Sequence, residues 1–266
     1  MSDTDPPTDH SVDCYDRPQY WDLAFSEDTS SEADFVAAAA AKYCDFEVRT
    51  LLEPGCGGGR LVTELGRRGF EVQGWDLSEN SVAFANSKLS EEGLPGTVLV
   101  RDMKTDIADP PVDSAYCLVS TFRHLLTEAD AVQHLQNMAA SVRPGGLYIL
   151  GLHLLPPDAD EEDEEDWSVT EGSVTVDIHL NVADCDRVKR LETLQFVMTV
   201  RDDGKVTDVF QSDYRMRLYN ANQITDLFAK VPEFELLDVF DFWYDIQDPL
   251  TLSDEMGDTV FVLKRT

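Results

Sequence analysis

The chain has 266 residues, 42% of them hydrophobic, and its 52 acidic residues outnumber 21 basic ones to give a net charge of −31. This length and composition predict one large domain with a full core. The charge argues against nucleic acid as a ligand, since phosphate binding relies on clustered Lys and Arg. It favours a cationic or amine substrate, or else a solvated acidic surface suited to salty surroundings.

The sequence contains no run of 18 apolar residues, and the acidic residues 1–10 include no hydrophobic segment. These features predict neither a membrane span nor a signal peptide, so we expect a cytoplasmic protein. Five scattered cysteines without a C-x-x-C pair predict reduced thiols and no structural zinc site. The acidic run at 158–166 predicts a mobile loop whose like charges repel one another. A calcium-binding loop is disfavoured, because Asp163 stands where such a loop needs glycine.

The N-terminal part of the chain precedes the first predicted strand. Residues 1–18 are predicted to form a disordered acidic tail. The alanine-rich residues 31–44 predict a helix with Ser31 as its N-cap. Between these segments, Tyr20 and Trp21 are expected either to cover a cofactor or to anchor the tail on apolar surface.

The middle of the chain alternates strands and helices. Strands are predicted at about 48–53, 70–76, 97–101, 114–120 and 146–153, and helices near 58–68, 79–90 and 128–142. Alternation of this kind makes parallel β-α-β units. The predicted fold is therefore α/β, with a doubly wound, mostly parallel sheet.

A glycine-rich turn follows the first predicted strand. Its glycines, at positions 55, 57, 58 and 59, let the backbone bend sharply and lie against a ligand without an intervening Cβ. The second strand ends about twenty residues later in Asp76, where a carboxylate meets the two ribose hydroxyls of a nucleoside. The turn, the helix after it and this acid together predict a nucleoside cofactor.

The type of nucleoside follows from the residues around the turn. A dinucleotide fingerprint requires G-x-G-x-x-G, but the third glycine is replaced by Arg60 when counted from Gly55, and by Val62 when counted from Gly57. Glu53 would repel a pyrophosphate and suits the ammonium group of an amino acid. S-adenosylmethionine, with a nucleoside at one end and an amino acid at the other, fits both observations.

Five segments resemble, in order and spacing, the motifs of the class I S-adenosylmethionine-dependent methyltransferases: EPGCGGG, GWDLS, RDM, AYCLVSTFRHL and VRPGGLYIL. The resemblance runs from about residue 45 to the C-terminus and implies a Rossmann-like sheet of seven strands. Asp76 would meet the ribose and Leu77 the adenine, while Asp102 and the Met103 backbone would bind the adenine edge. The implied cofactor-binding residues are Glu53, Gly55, Cys56, Gly57, Gly59, Asp76, Leu77, Asp102, Met103 and Ser120.

Residues 154–220 interrupt this pattern. An acidic loop leads into three antiparallel strands, SVTVDIHL, VKRLETLQFVMTV and KVTDVFQSDYRMRLY, with a hairpin turn at Asp203 and Gly204. A helix at 221–230 and strands at 234–243 and 257–264 close the fold, which makes 19–266 a single domain. The insertion resembles that of glycine and amino-sugar N-methyltransferases, which implies that it covers the substrate side.

Methyl transfer needs little more than close approach of the acceptor to an activated sulfonium. His124 follows the fourth strand at the edge where ligands bind, which makes it the candidate general base; packing under the loop is the alternative role. His153, at the end of the fifth strand, is placed with Tyr214 and Arg215 in the acceptor site. Arg215 would alternatively neutralise nearby acids.

The sequence thus predicts a methyltransferase that acts on a small amine or hydroxyl acceptor, without a metal ion. Two alternatives stay open. A nicotinamide-dependent oxidoreductase is disfavoured by the missing third glycine and by Glu53. A non-catalytic nucleoside-binding protein would keep the same motifs. The acceptor and the oligomeric state are open as well.

Overall fold

The computed structural model describes residues 12–160 and 164–266. The strands are β1 (Thr50–Pro54), β2 (Glu71–Asp76), β3 (Gly96–Val100), β4 (Ser114–Cys117), β5 (Leu147–His153), β6 (Glu164–Glu171), β7 (Val174–Asp186), β8 (Leu191–Asp202), β9 (Lys205–Arg217), β10 (Phe234–Phe240) and β11 (Asp258–Arg265). The helices are α1 (Pro18–Ala24), α2 (Thr29–Tyr43), α3 (Arg60–Arg67), α4 (Glu79–Glu92), α5 (Glu128–Ser141) and α6 (Ala221–Phe228). Short 3-10 helices span Cys14–Asp16 and Thr121–His124.

Seven strands form the larger sheet, in the order β10-β11-β5-β4-β1-β2-β3. Strands β1 to β5 pair in parallel, and β11 runs antiparallel to both of its neighbours. The central strands are apolar runs because helices cover both of their faces; six of the seven residues of β5 are buried. This architecture confirms the predicted α/β, doubly wound, mostly parallel sheet.

The two faces of this sheet carry separate hydrophobic cores. On one face α5 and α6 pack over side chains that include Trp75 and Tyr148. On the other face α2, α3 and α4 pack over side chains that include Tyr116. The carboxyl ends of the parallel strands therefore stay clear of helices and form an open edge.

The insertion forms a second sheet of four antiparallel strands, β6 to β9. Its hairpin turn at Asp203 and Gly204, with φ of 48° and 78°, agrees with the sequence. The acidic run was expected to be a loop, but its last three residues, from Glu164, belong to β6 and pair with β7. This expectation is wrong because Trp167 and Val169 face inward and anchor the strand. Residues 161–163 lie outside the described chain.

The N-terminal segment, defined as Asp13–Ala24, is ordered and lies between the two sheets. Cys14 is fully buried and its amide donates to Ser212 Oγ at 3.0 Å. The prediction of a disordered tail over residues 1–18 is therefore wrong from residue 12 onward, because nonlocal packing holds the segment. Residues 1–11 lie outside the described chain.

The first long helix begins earlier than predicted. Helix α2 starts at Thr29, so Ser31 lies inside its first turn and donates to the carbonyl of Asp28 at 3.2 Å. Ser31 is therefore not the N-cap. Within the described residues, no helix has the length and apolar character needed to span a membrane.

Candidate functional site

A cavity of about 980 Å³ opens at the carboxyl edge of the seven-stranded sheet. The N-terminal segment and the inner face of the four-stranded sheet form its other walls. Ten of the predicted site residues line it: Glu53, Gly55, Cys56, Gly57, Asp76, Leu77, Met103, Ser120, His124 and His153. Four others, Gly59, Asp102, Tyr214 and Arg215, are not among the described residues that line it.

The glycine turn is shaped by its neighbours as well as by its own backbone. Gly55 and Gly57 have φ of +71° and +54°, a region that side chains disfavour. A Cβ on Gly55 would lie 2.4 Å from Thr121 Cγ2, and the Gly57 amide donates to Asp76 Oδ2 at 2.8 Å. The turn therefore joins the end of β1 to the end of β2.

Asp76 occupies the end of β2 as predicted. Its two carboxylate oxygens accept hydrogen bonds of 2.8 Å from the amides of Gly57 and Ser78, and burial raises its pKa. A carboxylate offers about four acceptor sites, so both oxygens remain able to receive ribose hydroxyls. The neighbouring Leu77 is 70% exposed and lines the cavity, which suits an apolar surface that a ligand ring covers.

Glu53 is buried at the end of β1. The Tyr116 hydroxyl donates to its Oε2 at 3.0 Å, and burial raises the pKa of Glu53 to about 8 despite the charge of Arg60. The carboxyl group is therefore mostly protonated at neutral pH. A bound ammonium group would favour the charged carboxylate.

Cys56 lies in the turn but is not a nucleophile. Burial raises the pKa of its thiol well above the usual value, which leaves it uncharged. Its Sγ stands 2.8 Å from where a Cβ on Gly74 would lie, so the Cys56 side chain fills the space that Gly74 leaves open on β2. This contact gives a packing reason for the residue.

Two residues predicted to bind the cofactor, Gly59 and Asp102, are not among the described residues that line the cavity. A Cβ on Gly59 would meet the Cβ of Ala85 at 2.8 Å, so this glycine allows α3 to approach α4 and does not face the cavity. Asp102 accepts from the amide of Lys104 at 2.8 Å and closes a local turn. Because a carboxylate offers about four acceptor sites, this single bond leaves acceptor capacity, and the contact of Asp102 with the adenine stays a prediction.

Met103 does line the cavity, and His134 holds its backbone. His134 Nδ1 lies 2.7 Å from the Met103 carbonyl and Nε2 lies 2.7 Å from the Tyr148 hydroxyl. Burial lowers the pKa of His134 to about 4, so the ring is neutral and donates to the carbonyl. His134, which has no role in the sequence-based analysis, therefore positions the loop after β3.

The loop after β4 is strained. Val119 and Ser120 have φ of 52° and 62°, which is costly for residues with a Cβ. The Ser120 amide donates to Gly151, and its Oγ accepts from the amide of His153 at 3.0 Å. These contacts place the loop against the end of β5, next to the predicted cofactor position.

His124 and Tyr15 meet at the boundary between the two sheets. Tyr15 Oη and His124 Nε2 lie 3.0 Å apart, and both residues line the cavity. Burial lowers the pKa of His124, with a further decrease from the charge of Arg123, so the imidazole is neutral at neutral pH. Tyr15 was not predicted as a site residue, because the segment that carries it resembles a disordered tail in sequence.

Of the three residues predicted to bind the acceptor, His153 lines the cavity, whereas Tyr214 and Arg215 are not among the described residues that line it. Tyr214 packs on Tyr15 and donates to Asp13, behind the cavity wall. Arg215 is exposed on the opposite face of β9, which contradicts its predicted role in binding the acceptor. His153 lines the cavity, and its Nδ1 lies 3.0 Å from Asp258 Oδ1.

Aromatic side chains form the outer part of the cavity. Trp21 lines it and also packs on Phe25 and Phe196, so it both covers the site and anchors the segment. Below them, Arg123 and Glu192 form a buried ion pair. Neither Arg123 nor Glu192 was predicted from the sequence to belong to the site.

Comparison with known proteins agrees with this geometry. A methyltransferase-domain family matches residues 51–146. The chain is 23% identical over 185 residues to the putative methyltransferase YqeM of Bacillus subtilis, covering 66% of this chain and 70% of that protein. It is 33% identical over 104 residues to the ubiquinone biosynthesis O-methyltransferase of Paramagnetospirillum magneticum, covering 39% of this chain and 40% of that protein.

Solved structures resemble nearly the whole chain. An S-adenosylmethionine-dependent methyltransferase from Clostridium acetobutylicum superposes with a TM-score of 0.76 at 17% identity, covering 95% of this chain and 99% of its own. The sugar N-methyltransferase KedS8 from Streptoalloteichus superposes with a TM-score of 0.72 at 19% identity, covering 100% of this chain and 98% of its own. At these identities the likeness concerns the fold.

Proposed function

Because the chain is an S-adenosylmethionine-dependent methyltransferase of class I, we propose that it methylates a small molecule at an amine nitrogen or a hydroxyl oxygen. The observation that carries the proposal is the shared cavity. The glycine turn and Asp76, which we call the cofactor end, and Tyr15 and His124, which we call the acceptor end, line the same cavity. A donor and an acceptor held there would lie in one enclosed space, as in-line transfer requires.

The cofactor would lie along the edge of the sheet. Asp76 would accept from the ribose hydroxyls, Leu77 would cover the adenine, and Glu53 would receive the ammonium group. The strained loop at Val119 and Ser120 would contact the methionine portion. When bound, S-adenosylmethionine supplies an activated methyl group on a sulfonium, so the protein has to provide approach and alignment.

The pair of Tyr15 and His124 would act on the acceptor. An amine must be neutral and a hydroxyl must lose its proton in order to attack. Because burial keeps His124 uncharged, its imidazole is able to take that proton. Tyr15 would orient the ring through their hydrogen bond of 3.0 Å.

A transfer assay tests this function. The enzyme is incubated with methyl-labelled S-adenosylmethionine and a panel of amines, amino acids, sugars and alcohols, and labelled products are identified by mass spectrometry. We expect label on nitrogen or oxygen together with S-adenosylhomocysteine. Transfer to carbon, or cofactor binding without transfer to any acceptor class, would contradict the proposal. Reduction or oxidation with a nicotinamide cofactor would support the oxidoreductase alternative, which the methyltransferase-domain match disfavours.

A further inference from the structure

We infer that the acceptor is an amine attached to an apolar body and carries no phosphate. This inference rests on the proposed function and narrows it. It comes from the charges and the apolar surface of the whole cavity wall. Three observations support it.

The first observation is the charge of the cavity wall. Among the described residues that line the cavity, ten are Asp or Glu, three are Arg and none is Lys. Phosphate groups in proteins are bound by guanidinium and ammonium groups that are available to the ligand. A wall of this composition attracts a cation and repels an anion.

The second observation is that each lining arginine already has a carboxylate partner. Arg101 donates to Asp106 at 2.7 Å. Arg60 donates twice to Glu32, and Arg123 pairs with Glu192 in the interior. Drawing either buried arginine toward a phosphate would leave a buried carboxylate unpaired, which is strongly unfavourable.

The third observation concerns the route to the reacting groups. Four exposed acids, Asp160, Glu165, Glu255 and Asp258, line the cavity where it opens to solvent, and we call them the acidic mouth. From Tyr15 an aromatic wall runs through ring contacts with Trp21 and Phe25 to Trp167, two residues after Glu165 of this mouth. Carboxylates and aromatic faces both favour an ammonium group, and the rings also bury apolar surface.

The reaction on such an acceptor is balanced without further reagents. The amine enters as an ammonium ion and gives one proton to the neutral imidazole of His124 before attack. Its nitrogen lone pair would form the new bond to carbon as the carbon–sulfur bond breaks, with that electron pair staying on sulfur. The methylated product leaves as an ammonium ion, and the proton on His124 passes to water.

Binding to the enzyme saturated with S-adenosylhomocysteine tests the inference by calorimetry. The probes are tyramine, its analogue with a hydroxyl in place of the amine, and tyramine O-phosphate. We expect tyramine to bind at least about tenfold more tightly than either of the others, and more weakly as salt is added. Equal or tighter binding of the phosphate or of the alcohol would overturn the inference, as would failure of tyramine to bind. Absence of S-adenosylhomocysteine binding would instead contradict the proposed function.

Substitutions in the acidic mouth separate charge from packing. Glu255→Gln should weaken tyramine binding about threefold, and Glu255→Lys about tenfold or more, with S-adenosylhomocysteine binding unchanged. Glu235→Gln is the matched control, because Glu235 is exposed on β10 and is not among the described lining residues. Equal tyramine affinity in Glu255→Lys and Glu235→Gln would overturn the role of the acidic mouth.

Discussion

The two ends of the cavity are built in different ways. At the cofactor end, residues 53–77 supply a glycine turn, a strand end and two carboxylates, and most of the observed hydrogen bonds involve backbone amides. At the acceptor end, Tyr15, His124 and Tyr214 come from three segments that are far apart in the chain. The first end is local and made of backbone, while the second is nonlocal and made of side chains.

This difference means that the two ends should respond separately to mutation. The cofactor end forms together with the seven-stranded sheet, whose strands also carry the core. The acceptor end requires in addition that the N-terminal segment docks on the four-stranded sheet. Substitutions at one end should therefore change cofactor affinity, and substitutions at the other should change turnover.

Asp76→Ala should give the largest effect. It removes the acceptor of two backbone hydrogen bonds and the ribose contacts, so S-adenosylhomocysteine affinity should fall about a hundredfold, equivalent to about 3 kcal/mol. Calorimetry measures the change, with circular dichroism as a check of folding. Asp76→Asn keeps one acceptor oxygen, so its affinity for S-adenosylhomocysteine should lie between those of the parent and of Asp76→Ala. Unchanged affinity in a folded Asp76→Ala variant would show that the cofactor binds elsewhere.

His124→Ala should lower kcat by about ten- to a hundredfold and leave S-adenosylhomocysteine affinity within about twofold. In the parent enzyme the rate should rise with pH as His124 loses its proton, with a midpoint below about 6.5 because burial lowers its pKa. This rise of the rate with pH should be absent in His124→Ala. Tyr15→Phe is the matched control: its rate should be lower than that of the parent but should still rise with pH. A variant that keeps its rate and loses only thermal stability would make His124 a packing residue.

Glu53→Gln should weaken cofactor binding about tenfold. At pH 7, binding to the parent should release close to one proton, because the ammonium group favours the charged form of a carboxyl whose pKa is about 8. Calorimetry in buffers of different ionisation enthalpy counts this proton, and the variant should release none. If the parent also releases none, Glu53 does not meet the ammonium group.

The same carboxyl group affects the stability of the free enzyme. Its pKa in the folded protein, about 8, lies above its ordinary value of 4.5, so the folded state holds a proton that the unfolded state has lost. The free energy of unfolding therefore falls as pH rises from about 4.5 to 8. Glu53→Gln should remove this loss, and its Tm relative to the parent should increase with pH.

Arg215→Ala should give the smallest effect. The side chain is exposed on the face of β9 that points away from the cavity. Both kcat and S-adenosylhomocysteine affinity should stay within about twofold of the parent. A loss of activity in the folded variant would show that this outer face of the sheet contributes to the site.

The sequence predicted that the glycine turn and the end of β2 would lie together at the edge of the sheet, because these signals are local. Glycine positions, strand ends and helix spacing lie within short segments and follow backbone rules. It missed Tyr15, whose burial depends on contacts with His124 and Tyr214 more than one hundred residues away. The sequence also does not show the local turn that one carboxylate oxygen of Asp102 closes with the Lys104 amide.

Arg215 teaches a separate point. Successive side chains of a strand point to opposite faces, so Tyr214 and Arg215 were never able to face one pocket. Tyr214 and Met216 are buried against the N-terminal segment and the inner core, and Arg215 between them is exposed. The alternation was visible in the sequence, but which face would be buried depended on the docking of the four-stranded sheet.

The N-terminal segment also covers the glycine turn. Ser81 Oγ donates to the Tyr15 carbonyl at 3.2 Å, and Asp22 pairs with Lys88 at 3.0 Å, so the segment is tied down beside the glycine turn. The Asp22 carboxylate lies so close to Gly58 that a Cβ there would be 2.6 Å away. The same segment carries Tyr15 to the acceptor end. Lifting the segment would expose the glycine turn on this side and would at the same time separate Tyr15 from His124, so access to the cofactor position and the geometry of the acceptor end depend on the same contacts.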